Sequence, residues 1–160
     1  MAVYRREEAL RYAETWARRR NSRYLNFDKL GGDCTNFISQ CLFAGMDEMN
    51  FTPVTGWYYV DGNHRTPSWT GVQQLYSFLI ANRAQGPRAR VADAAGITPG
   101  DVVQLGRAGG GFYHSTLVVA ASEGEIYIAA HSMDQWMRPL SDYERDLTRY
   151  LHIFGSEENG

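Results

Sequence analysis

The sequence contains little that would tie the protein to a membrane or to a nucleic acid. Its 160 residues include two cysteines and five prolines, and 16 lysines and arginines stand against 18 aspartates and glutamates. The net charge is −2, the two signs are interleaved, and the only basic run is Arg18-Arg19-Arg20. This pattern indicates no surface for nucleic acids or lipid headgroups. No stretch approaches the roughly 18 apolar residues of a transmembrane helix.

The start of the chain lacks the features of an export signal, because no apolar region follows the charged residues of Met1 to Glu7. We therefore expect a soluble protein, cytoplasmic as the chain stands, with a cell-wall or extracellular location open if a signal was removed. No repeat or low-complexity tract is present. A chain of this length buries about 68–70% of its unfolded surface, so we expect one domain over residues 1–160.

What the sequence does contain is a cysteine at the start of a predicted helix. Two glycines precede Asp33 and Cys34, and the residues that follow predict a helix from Cys34 to about Ala44 that ends at Gly45. Asp33 is expected to cap this helix through its side chain. The free amides of the first turn and the helix dipole favour an anion at Cys34. Cys34 is therefore the candidate nucleophile.

The second cysteine does not provide a disulfide partner. Cys34 and Cys41 lie seven residues apart on one predicted helix, about 10 Å along its axis, whereas a disulfide needs alpha carbons within roughly 7 Å. Cys41 is expected to be an inert buried thiol. A structural role for Cys34 stays open, and so does a zinc site, for which the candidate ligands are Cys34, His114, His131 and Asp134. Because no closely spaced ligand pair is present, we expect no metal and no other cofactor.

Two histidines follow on a predicted β-hairpin. Residues 112–120 and 126–131 have the composition of strands, and residues 122–125 that of a tight turn. If Ser122 pairs with Glu125, His114 and His131 are diagonal neighbours on one face of the sheet. A register in which the two residue numbers of each pair add to an even number would place the two histidines on opposite faces. A cysteine, a histidine base and a second polar residue that holds this base suit acyl transfer through a thiol.

The remaining pattern predicts an α+β fold. An amphipathic helix is expected from Val3 to about Arg20, and a capping box at Thr70 is expected to open a third helix through Leu79. Between the helices lies a long connection, Asp47 to Thr66, of a length that is often functional. Gly109 to Gly111 is expected to be a surface loop, with a gate as the alternative. Further strands are predicted at 102–105, 136–140 and 150–154.

Other aromatic and histidine residues have two open interpretations. Trp57, Tyr58, Tyr59 and Trp69 would suit a substrate groove, since peptides and sugars stack on such rings, but core packing fits each of them equally well. His64 is expected to be solvated. His152 is expected at the surface or satisfied within the core.

Several of these stretches together resemble a known family. They are Tyr24 upstream of Gly31-Gly32-Asp33-Cys34-Thr35, Thr98-Pro99-Gly100-Asp101 before a strand, His114 on a strand, and His131-Ser132 on the next strand. This order is similar to that of the NlpC-type papain-fold cysteine peptidases of bacterial cell walls. Within that superfamily the chain resembles, from end to end, the bacterial "putative amidase domain" family, with further matches at Tyr12–Trp16, Asn36–Cys41 and Ser68–Thr70.

The resemblance implies a papain-like fold in which N-terminal helices present the nucleophile against an antiparallel sheet. It implies that Cys34 is the nucleophile, His114 the general base and then acid, and His131 the residue that orients His114. Tyr24 corresponds to a donor to the oxyanion, with Asp33 in support. The implied reaction is hydrolysis of an amide or peptide bond, with cell-wall peptides among the substrates. A transferase or deamidase of the same chemistry and a non-catalytic peptide- or glycan-binding module stay open, as does the oligomeric state.

Overall fold

A computed structural model describes residues 2–160. The helices are α1 (Arg6–Trp16), α2 (Cys34–Met46), α3 (Pro67–Thr70) and α4 (Val72–Ala81). The strands are β1 (Tyr59–Asp61), β2 (His64–Arg65), β3 (Arg88–Ala92), β4 (Val102–Arg107), β5 (Gly111–Ser122), β6 (Glu125–Ala130), β7 (Gln135–Pro139) and β8 (Leu147–Phe154).

Six strands form one sheet in the order β3-β8-β4-β5-β6-β7, and every neighbouring pair is antiparallel. The α+β class and the antiparallel sheet are confirmed. Chain reversal into β4 occurs at Gly100, whose φ of 95° suits glycine. Asp101 then holds the turn together, because its buried carboxylate accepts from the amides of Thr98 and Ile153 and pairs with Arg6.

The two faces of the sheet are covered unequally. One face packs on α1, α2 and α4 through a large apolar core in which Leu117 and Ala129 of the sheet meet Phe37 and Ile38 of α2. The other face carries a smaller cluster that includes Val103, Leu105, Val118 and Ile128, covered by the segment around Leu140. The side of the sheet on which a residue lies therefore decides whether it can reach α2.

Helix α2 is the central element of the larger core. Phe37, Ile38, Cys41 and Leu42 are fully buried, so the thiol of Cys41 is inaccessible, and burial raises its pKa well above the usual value. Both cysteines are free thiols. The helix continues past Gly45, where we expected its end, to Met46, and Asp47 takes the left-handed conformation at its C-terminus.

Other boundaries also differ from the prediction. Helix α1 ends at Trp16 instead of Arg20, because the chain turns there and Arg20 leaves the helix axis for an ion-pair cluster. The expected capping box at Thr70 is wrong. Gly71 occupies the N-cap of α4 without a side-chain bond, and the hydroxyl of Thr70 accepts from Arg65 instead.

Two strand regions were not anticipated in full. The connection between α2 and α3 contains the β1–β2 hairpin. The stretch around Arg88, for which no strand was predicted, forms β3 and pairs with β8 at the edge of the sheet. Within residues 2–160, no helix is long and apolar enough to cross a membrane.

Candidate functional site

Cys34 is the first residue of α2 and lies against the beginning of β5. Its Sγ atom is 4.0 Å from the carbonyl oxygen of Tyr113 and 3.7 Å from Oγ1 of Thr35. The next residue fastens the helix to the sheet, since the hydroxyls of Thr35 and Ser115 lie 2.9 Å apart in a buried bond. Cys34 itself is partly exposed. The helix therefore presents its thiol at the surface over a fixed support.

Asp33 does not cap α2 as expected. Its Oδ1 atom accepts from the backbone amide of Phe27 and from the side chain of Asn36, and its Oδ2 atom lies 2.6 Å from Nδ1 of His131. No side-chain bond reaches the first-turn amides of the helix. These amides point toward the space around Cys34, where a helix N-terminus favours an anion.

His131 lies on the α2 side of the sheet, in contact with the residue before the cysteine. Its ring stacks on Phe37 with centroids 4.0 Å apart, and Nε2 lies 2.9 Å from the carbonyl oxygen of Trp16. Both ring nitrogens therefore have partners within the protein: Nδ1 faces Asp33, and Nε2 faces the carbonyl oxygen of Trp16 and Nη1 of Arg20, which lies 3.2 Å away. The expected role of orienting His114 is not seen here, because both nitrogens are occupied elsewhere.

Sequence reasoning missed the role of Arg20 beside this pair. Its guanidinium forms ion pairs of 2.9 Å with Asp28 and with Asp134, and Nε lies 3.5 Å from the carboxylate of Asp33. Its neighbour Arg19 instead donates to the carbonyl of Thr15 near the end of α1. The partner Asp134 lies 114 residues from Arg20, so the local sequence gave no signal of that ion pair.

His114 and His131 lie on opposite faces of the sheet, so the prediction of a shared face is wrong. The two-residue turn is as expected, with Ser122 paired to Glu125, but Val119 forms a bulge and shifts the pairs beyond it to Leu117–Ala129 and Val118–Ile128. The two residue numbers in each of these pairs add to an even number, which is the register that separates the two histidines. Since side chains alternate along β5, His114 lies on the face opposite Leu117.

A second bulge adjoins His114 itself. Leu105 pairs with His114 and Gly106 with Phe112, which leaves Tyr113 as the extra residue. The imidazole packs in the smaller cluster, where its centroid is 5.7 Å from that of the Tyr143 ring. Burial, together with the charge of Arg138, lowers the pKa of His114 to about 4. No hydrogen bond joins this ring to Cys34 within the described chain.

Tyr24 is buried, with its ring 5.1 Å from Tyr59 and 6.1 Å from Trp69 by centroid. Burial raises the pKa of its hydroxyl, and the hydroxyl makes no hydrogen bond to any residue in the range 2–160. Trp57 and Trp69 are fully buried in the core, so neither lines a groove. Tyr58 is half-buried and stacks on Phe51.

The remaining histidines have partners of their own. His64 is exposed and pairs with Asp61, and His152 contacts the carboxylate of Asp101. The four candidate zinc ligands do not converge, because His114 lies across the sheet. In the part of the chain that the structure describes, no group of three histidine, cysteine or carboxylate side chains could hold a metal ion.

Fold and site together define an α+β protein that presents a cysteine at a helix N-terminus against an antiparallel sheet. The chain belongs to the family described as "Putative amidase domain", whose model matches residues 3–154. That description indicates amide hydrolysis in general terms.

The chain is similar to two proteins of Bacillus subtilis (strain 168). It is 38% identical over 151 residues to the uncharacterized protein YhbB, covering 92% of this chain and 47% of that protein. It is 28% identical over 138 residues to the uncharacterized protein YjcM, covering 79% of this chain and 30% of that protein. The chain thus spans about half the length of the first relative and less of the second. No solved structure matches.

Proposed function

We propose that this protein hydrolyses an amide or peptide bond with Cys34 as its nucleophile, in a papain-like domain of the NlpC type that extends over residues 1–160. The observation that carries the proposal is the placement of Cys34. Its partly exposed thiol sits at a helix N-terminus whose first-turn amides receive no side-chain cap. Membership of an amidase family supports the reaction class.

The reaction would pass through a thioester. The thiolate of Cys34 attacks the amide carbon, and the oxyanion accepts a hydrogen bond from the amide of Cys34 and a second from the hydroxyl of Tyr24. Each such donor stabilises a transition state by about 3 kcal/mol. The amine leaves with a proton from the histidine, and water then attacks the thioester to release the acid and restore the thiol. This proposed cycle requires no cofactor.

His114 is the proposed base. It directly follows Tyr113, whose carbonyl oxygen lies 4.0 Å from the thiol. Burial lowers its pKa to about 4, so the imidazole is neutral at pH 7 but a weak base where it lies. Because the imidazole lies on the far face of the sheet, the pair forms only if β5 rearranges at the Tyr113 bulge. Gly109 and Gly111, both with positive φ and no atom near a virtual Cβ, give the strand's start the freedom to do so.

His131 is then a positioning residue. It binds the carboxylate of Asp33, the residue immediately before Cys34, and so holds the backbone that carries the nucleophile. In this role His131 acts on the segment that carries Cys34, whereas the sequence predicted that it would orient His114.

A second candidate function is a non-catalytic module that binds peptides or glycans. The observation in its favour is the separation of His114 from Cys34 by the sheet, which leaves the thiol without a base. In either case, the proposed ligand is a peptide or amide, with bacterial cell-wall peptides as one source.

The deciding experiment measures alkylation of Cys34 by iodoacetamide from pH 5 to 9, with peptide mapping, in the wild type, His114→Ala and the exposed control His64→Ala. Catalysis predicts fast labelling near pH 6 that His114→Ala slows about tenfold and His64→Ala leaves unchanged. Cys41 stays unlabelled in all three because it is fully buried. A labelling rate that rises with pH as it does for an ordinary thiol, and that is the same in His114→Ala as in the wild type, would favour the binding module.

Activity gives the complementary test. Amine release from a panel of acyl amides and short peptides should vanish in Cys34→Ala, with its circular dichroism unchanged. Turnover retained in that variant would exclude Cys34 as the nucleophile.

A further inference from the structure

One arginine near the candidate site lacks a counterion. The guanidinium carbon of Arg149 on β8 lies 3.6 Å from the ring centroid of Tyr76 and 3.8 Å from that of Phe112. Its Nε donates to the side-chain oxygen of Gln104 and its Nη2 to that of Gln73. The two rings and two amides hold the group in one orientation.

The charge of Arg149 is not neutralised by these partners. Both acceptors are neutral amides, and among residues 2–160 no carboxylate oxygen lies within 4.0 Å of the group. Arg6 and Arg20, by contrast, pair with Asp101 and with Asp28 and Asp134. Partial burial lowers the pKa of Arg149. Two of its five N–H donors are engaged, so a planar fork is available to an anion.

The sheet links Arg149 to Cys34 through a short chain of contacts. Gln104 pairs with Arg149 on one side and with Ser115 on the other, so the three lie in one row across β8, β4 and β5. The side chain of Gln104 bonds to both neighbours, and Ser115 holds Thr35 at the start of α2. Phe112 stacks on the guanidinium. The next residue along β5 is Tyr113, whose carbonyl oxygen contacts the thiol of Cys34.

We propose that Arg149 binds a carboxylate of the substrate, on a residue adjacent to the amide that Cys34 attacks. The inference rests on the proposed function and narrows its substrate class to acidic amides and peptides. A half-buried cation held rigidly without a counterion gains most from an anionic ligand, and the open fork matches a carboxylate. Tyr76 and Phe112 would flank the bound group and limit its hydration.

The test compares two alkylating agents that differ in charge. Iodoacetate carries a carboxylate and iodoacetamide does not, so the ratio of their rates at Cys34 reports a cation near the thiol. We expect this ratio to fall about threefold or more in Arg149→Met, to be largely kept in Arg149→Lys, and to stay unchanged in Arg90→Met, which alters an exposed arginine of the edge strand β3. Raising the salt concentration should lower the wild-type ratio.

The outcomes separate this inference from the proposed function. An equal ratio in the wild type and Arg149→Met, or an equal fall in Arg90→Met, would overturn the carboxylate site. Because Arg149→Lys keeps the charge but loses the same ring and amide contacts, it shows whether a fall reflects charge or altered packing. Iodoacetamide rates that are equal in the wild type and His114→Ala would contradict the proposed catalysis. The ratio of iodoacetate to iodoacetamide rates would still decide whether Arg149 acts as a carboxylate site.

Discussion

At the scale of single residues, His114 shows how a titratable group is tuned by the face of the sheet on which it lies. Among the side chains of the smaller cluster it is buried, and removal from water disfavours the charged imidazolium. The result is a pKa of about 4, in a protein where His64, exposed beside Asp61, is the natural comparison.

This shift predicts how stability depends on pH. The folded-state pKa of His114 lies below its unfolded value of about 6.5, so the unfolded state binds the proton more tightly. Above pH 6.5 the imidazole is neutral in both states and the free energy of unfolding is unaffected by its protonation. As the pH falls from 6.5 toward 4, the unfolded state takes up the proton and the free energy of unfolding decreases. Wild-type protein should lose about 2–3 kcal/mol more unfolding free energy than His114→Phe between pH 7 and pH 4.

Urea unfolding at a series of pH values measures this difference. His64→Gln is the matched control and should follow the wild type throughout. If His114→Phe and the wild type lost stability in parallel, the imidazole would not be buried as the structure has it.

At the scale of elements, the last turn of α2 packs closely on the N-terminal segment. A Cβ atom at Gly45 would lie 2.5 Å from the ring of Tyr4 and 2.9 Å from the carbonyl oxygen of Arg5. That carbonyl belongs to the start of α1, and the amide of Arg5 donates to the carbonyl of Gly45. Gly45 is therefore required for close approach of the two segments, not for ending the helix.

Gly45→Ala should lower the free energy of unfolding by about 1–3 kcal/mol, because the buried Tyr4 ring and the backbone must both shift. Thermal or urea unfolding provides the measurement. Gly110→Ala is the control, since the nearest atom to its Cβ would be 3.7 Å away. Equal stability of the two variants would show that the N-terminal segment adapts without cost.

The elements that the sequence predicted well are those set by near neighbours. The start of α2 at Cys34 and the turn between Ser122 and Glu125 depend on residues within a few positions, and both are confirmed. The bulge at Val119 lies within the same hairpin but has no marker in the sequence, and it reversed the expected face of His114 relative to His131. Asp33 is of a residue type that is common at helix N-caps, but its carboxylate bonds to His131, 98 residues away.

At the scale of the whole molecule, one polar cluster joins two segments that are far apart in the sequence, beside the candidate site. It consists of Arg20, Asp28, Asp33, His131 and Asp134, and it connects the segment after α1 and the start of α2 with the end of β6. Asp33 and His131 are fully buried, whereas Asp28 and Asp134 are about one-third exposed. The inner pair and the outer pairs should therefore respond differently to substitution and to salt.

His131→Gln should cost about 1–3 kcal/mol of unfolding free energy, because it leaves the buried carboxylate of Asp33 without its closest hydrogen-bond partner. Asp134→Asn should cost at most about 1 kcal/mol, since its ion pair with Arg20 is partly solvated and Asp28 still neutralises the guanidinium. Urea unfolding at low and high salt measures both. The Asp134→Asn effect should shrink as salt rises, while the His131→Gln effect should persist, because solvent ions screen the exposed pair and not the buried one. If the two substitutions had equal and equally salt-sensitive effects, the inner pair would be solvated, and it could not hold the backbone before Cys34 in the way proposed.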